Sequence, residues 1–132
     1  GFSTVPTWLP IGEDHPAMAV DMREADAGSL LHHTRRLLAL RKSSPALRTG
    51  SLKVIKASGD LLVFERSDAG QKMLCLFNMG AAPLRWQPQD RAEWHGIEPA
   101  DSADIWRLPP YSAMIAENFA AHAQSRMTSD ET

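Results

Sequence analysis

Past Gly50 the chain breaks into six short runs of strand-forming residues: Ser51 to Ala57, Leu61 to Arg66, Lys72 to Asn78, Pro83 to Trp86, Asp104 to Leu108 and Tyr111 to Glu117. Between them stand Ser58-Gly59-Asp60, Ser67-Asp68-Ala69-Gly70 and Asn78-Met79-Gly80, which is turn chemistry at about the spacing of an antiparallel sandwich. Leu52, Val54, Leu62, Phe64, Leu74 and Leu76 alternate with polar or variable neighbours, the pattern of a sheet with one buried face. The second half therefore reads as a mostly β, antiparallel β-sandwich.

The first half reads differently. Residues 1 to 28 carry Pro6, Pro10 and Pro16 with Gly1, Gly12 and Gly28 and keep neither a period of 2 nor one of 3.6, so they read as an extended loop. That loop holds Phe2, Val5, Trp8, Leu9, Ile11, Met18 and Val20, apolar side chains that need something to pack against. From Ser29 onward Leu30, Leu31, Leu37, Leu38 and Leu40 form a wide apolar face, and Arg35, Arg36, Arg41 and Lys42 make the far end cationic, which suits the negative pole of a helix. Asp26 or Ser29 can accept from its free N–H groups, and Ser43-Ser44-Pro45 ends it.

With 132 residues the chain is long enough for a real core but short of the about 200 residues or more of a complete (β/α)8 barrel. At 43% hydrophobic and 23% charged residues it is too apolar for disorder, and no near-20-residue uncharged run offers a membrane span. A net charge of −2 argues against a nucleic-acid or anionic-membrane partner. The single Cys75 sits in Met73-Leu74-Cys75-Leu76-Phe77, as a buried inert thiol would, and implies no oxidising compartment, so a cytoplasmic location is expected. The chain opens without Met and without a secretory pattern: either the Met is removed or this is a piece of something longer.

Catalytic spacings are missing from the sequence. None of the eight Gly residues forms a G-x-G pair, and there is no H-E-x-x-H, C-x-x-C or G-x-S-x-G, which leaves no dinucleotide fingerprint, zinc pair, redox pair or nucleophile elbow. His32 and His33 are adjacent on the helix, about 100° apart, and cannot easily share one metal. Glu13 and Asp14 are neighbours, and Asp90, Glu93, Glu98, Asp101 and Asp104 are scattered. No helical or strand spacing sets any two of them at the separation glycoside hydrolysis needs, so they read as solvated loop acids and no catalytic, cofactor or metal residue is assigned. Indole faces stack on pyranose rings as well as filling cores; Trp86 and Trp94 are the candidate sugar contacts, with Trp106 beside them and Trp8 in the loop.

Three stretches carry a resemblance: Gly1-Phe2-Ser3 with Pro6-Thr7-Trp8-Leu9-Pro10, then Arg35-Arg36-Leu37-Leu38-Ala39-Leu40-Arg41-Lys42-Ser43-Ser44-Pro45-Ala46-Leu47, then Leu108-Pro109-Pro110-Tyr111-Ser112-Ala113-Met114. In order and spacing they resemble the C-terminal part of α-glucosidases of glycoside hydrolase family 13, the oligo-1,6-glucosidase-like group of the α-amylase superfamily. Gly50-Ser51-Leu52 and Leu74-Cys75-Leu76-Phe77-Asn78 resemble that family's first C-domain strands, so the likeness covers about residues 1 to 117. Thr34 stands where the family usually has an aromatic residue.

The resemblance implies a loop and one α-helix left over from the end of a (β/α)8 barrel, residues 1–48, then a β-sandwich of the α-amylase C-terminal type, 49–118, and a frayed or disordered tail, 119–132. It implies a retaining α-glucosidase acting on short oligosaccharides, whose catalytic acids lie on earlier barrel strands; this chain would be its non-catalytic stabilising domain. The partner would be the missing catalytic barrel, contacted through Phe2, Trp8, Leu30, Leu37 and Leu38. The alternatives are a carbohydrate-binding β-sandwich module and one chain of a two-chain glucosidase.

Overall fold

The computed structural model describes residues 4–68, 70–89, 94–98 and 106–118. It divides into two compact units, Gly1–Ser43 and Ser44–Thr132. The expectations for Phe2 and for the tail 119–132 lie outside the described residues.

The first unit corrects the extended-loop reading of residues 1–28. Two short helices, α1 (His15–Met18) and α2 (Val20–Ala25), precede the long α3 (Leu30–Ser43). Four and six residues complete too few turns for a 3.6 period to show, and helices this short rely on tertiary partners. Those partners are local. Arg23 donates from Nε (3.0 Å) and Nη2 (2.6 Å) to the Ala17 carbonyl, and buried Ser29 donates from Oγ to the Arg23 carbonyl at 2.7 Å. Glu24 on α2 accepts from Arg35 Nη1 on α3 at 2.7 Å; this hydrogen bond, before any longer-range attraction, lowers the carboxyl's pKa and raises that of Arg35. The two candidate caps divide the work. Ser29 Oγ accepts from His32 N at 3.5 Å at the start of α3, while Asp26 Oδ1 accepts from Gly28 N at 3.0 Å and shapes the turn before it.

In the second unit, Pro45 does more than end α3. Fixed φ and a missing N–H suit the first turn of a helix, and α4 (Pro45–Thr49) begins there, with Ser44 Oγ accepting from Leu47 N at 3.2 Å. Among the described residues seven strands follow: β1 (Ser51–Ser58), β2 (Leu61–Asp68), β3 (Gln71–Asn78), β4 (Leu84–Arg85), β5 (Trp94–Glu98), β6 (Arg107–Leu108) and β7 (Ser112–Asn118). They form a five-stranded sheet in the order β1-β2-β3-β7-β5 and a two-stranded sheet β4-β6, and every pairing is antiparallel. β5 was not anticipated, because a register shift between Gly96 and Glu98 breaks the alternation by which strands are recognised. The expected run at Pro83 to Trp86 shrinks to the two-residue β4, and the run at Asp104 to Leu108 lies partly outside the described residues, with β6 as the strand in its described part.

The core forms between the layers. Val63, Leu74, Leu76, Trp94, Met114 and Ala116 from the large sheet meet Trp106 and Leu108, with Leu61 and Trp86 at the margin. Register also corrects the reading that one face carries all the apolar positions. Leu62 pairs with Phe77 and Phe64 with Cys75, whereas Val63 pairs with Leu76 and Glu65 with Leu74. Leu74 and Leu76 therefore line the core, while Leu52, Val54, Leu62 and Phe64 point to the opposite face.

Candidate functional site

The tryptophans proposed as sugar platforms sit in and around the core. Trp94, at the start of β5, is buried. Trp86 follows β4 and is half-buried, and its backbone N donates to the Trp106 carbonyl at 3.0 Å, which extends the β4-β6 pairing. The two indoles meet edge to face, centroids 6.3 Å apart at 64°, a favourable arrangement for their quadrupoles. Beside them Arg85 and Gln87 help line an open depression of about 300 Å³. One aromatic wall with a guanidinium and an amide nearby is chemistry that can hold a polar ring weakly, and none of the described lining residues could cleave it.

The remaining candidates are dispersed. Trp8 is 91% exposed. Glu13 and Asp14 are exposed just ahead of α1, and Glu98 is half-buried on β5; Asp90, Glu93, Asp101 and Asp104 lie outside the described residues. His32 Nε2 is 2.9 Å from the Glu24 carbonyl, while His33 Nδ1 faces Arg36 Nη2 at 3.4 Å, so the two rings are engaged separately. No cluster of three His, Cys, Asp or Glu fit to hold a metal occurs among the described residues. Burial, slightly offset by the charge of Arg66, pushes the Cys75 thiol up to about 11, far from the thiolate a nucleophile needs. Among the described residues no helix is long and apolar enough to cross a membrane.

Sequence reasoning missed the polar groups that organise the second unit. Asn78, buried at the end of β3, donates from Nδ2 to the carbonyls of Ala82 (2.8 Å), Pro109 (2.8 Å) and Leu108 (3.3 Å), and its Oδ1 accepts from Gly80 N at 3.0 Å. One amide thus ties the turn after β3 to the Leu108-Pro109-Pro110 corner. At the other end of β3, Gln71 Oε1 accepts from Ser44 Oγ (2.7 Å) and Ala46 N (3.1 Å), and Gln71 Nε2 donates to Glu117 Oε1 (2.8 Å), which anchors α4 to the sheet. The only sequence signal for the first of these is an Asn closing a strand ahead of a turn.

No protein-family model matches the chain. A probable alpha-glucosidase from Rhizobium meliloti (strain 1021) is 40% identical over 120 residues, covering 88% of this chain and 22% of that protein. Among solved structures, the alpha-glucosyl transfer enzyme XgtA superposes with a TM-score of 0.70 at 35% identity, over 84% of this chain and 22% of that one. The trehalulose synthase MutB from Pseudomonas mesoacidophila MX-45 gives 0.74 at 25% identity, over 89% and 23%. The chain thus spans little more than a fifth of the length of the proteins it matches. With the antiparallel, two-layered second unit and the motifs at both ends of the match, these likenesses make the chain a C-terminal region of a member of glycoside hydrolase family 13.

Proposed function

We propose that this chain is the non-catalytic C-terminal region of a retaining α-glucosidase acting on terminal α-glucosidic bonds of short oligosaccharides, and that its role is to stabilise the catalytic barrel. In a retaining enzyme two carboxyl groups about 5–5.5 Å apart form and then hydrolyse a glycosyl-enzyme intermediate. Those groups would come from the polypeptide ahead of residue 1. The observation that carries this reading is the apolar surface of the first unit: Trp8 is 91% exposed, Leu30 75% and Leu38 61%, with Leu37 half-buried beside them. Side chains of this kind on one small unit are the mark of a surface meant to be covered.

The test is a comparison of the full-length parent with a version lacking this region. Truncation should lower the melting temperature and shorten the half-life on heating, while kcat/KM of the molecules still folded changes little. An unchanged melting temperature would overturn the stabilising role. The 132-residue chain alone should release no glucose from a chromogenic α-glucoside, and calorimetry with millimolar maltose or isomaltose should register no heat. Heat that disappears in Trp86→Ala would favour the sugar-binding alternative instead.

A further inference from the structure

We draw no further inference here: the strongest candidate, the open depression beside β4 lined by Arg85, Trp86, Gln87 and Trp106, belongs to the candidate site already described and would take the same weakly held sugar ring.

Discussion

Replacing Asn78 with Ala should be among the most damaging substitutions in the second unit. Its amide makes two donations at 2.8 Å, a longer one at 3.3 Å, and one acceptance from Gly80 N at 3.0 Å. At about 1 kcal/mol net for each of the three shorter bonds, with a further 1 kcal/mol or more for the Gly80 N–H left without a partner, the loss comes to about 3–5 kcal/mol. Gly80 is buried, so water does not readily replace the lost acceptor, whereas the exposed Ala82 and Pro109 have access to it. Urea unfolding followed by tryptophan emission measures the change, since Trp94 and Trp106 lie in the core. Asn78→Asp sharpens the test. It keeps the acceptor for Gly80 N but turns a carboxylate toward three carbonyl oxygens, so near pH 7 it should cost at least as much as Ala. Part of that loss should return as the pH falls and the carboxyl gains a proton it can donate. A cost below 1 kcal/mol for Ala, or wild-type stability for Asp at pH 7, would refute the reasoning.

Three further outcomes are expected. A Cβ at Gly80 would run into the Asp60 carboxylate, so Gly80→Ala should destabilise by about 1–3 kcal/mol, and in a double-mutant cycle Asp60→Ala should recover much of that. Tyr111 holds φ at +50°, a left-handed conformation costing about 1–2 kcal/mol for a residue with a Cβ; Tyr111→Gly should therefore leave the unfolding midpoint unchanged or raise it, and a marked fall would disprove the strain. The folded Cys75 thiol keeps its proton to about 11, above the ordinary 9.0. Its contribution to stability is thus fully present below pH 9 and is lost as pH climbs toward 11, so an alkaline stability profile should be shallower in Cys75→Ala.

The long α3 and the three strands β1 to β3 are legible in the sequence because each repeats its period often enough to be counted. The short α1 and α2 are not, and β5 hides behind its bulge. Pro45 reads as a stop because the pattern before it is helical; that it also starts α4 depends on Ser44 accepting from Leu47 N, a bond no periodicity encodes. The two-sided sheet is misread for a similar reason. Leu62 and Leu76 look alike along the chain, and only the pairing of β2 with β3 sends them to opposite faces. As for function, the absence of catalytic spacings is plain from the residues, while the burial of Trp94 and the linking role of Asn78 are tertiary facts. They depend on partners 20 or more positions away, such as Leu108 and Pro109 for Asn78.

Ser44 has a practical meaning for anyone recombining relatives of this protein. It follows the last residue of one helix and caps the next, and its hydroxyl is bound to Gln71, 27 positions later. A chimera joined ahead of Ser44 transfers the strands together with the short helix that clamps them. One joined at Gly50, past the short helix, would pair a foreign clamp with native strands and leave the Gln71 amide seeking a hydroxyl that the donor sequence need not supply.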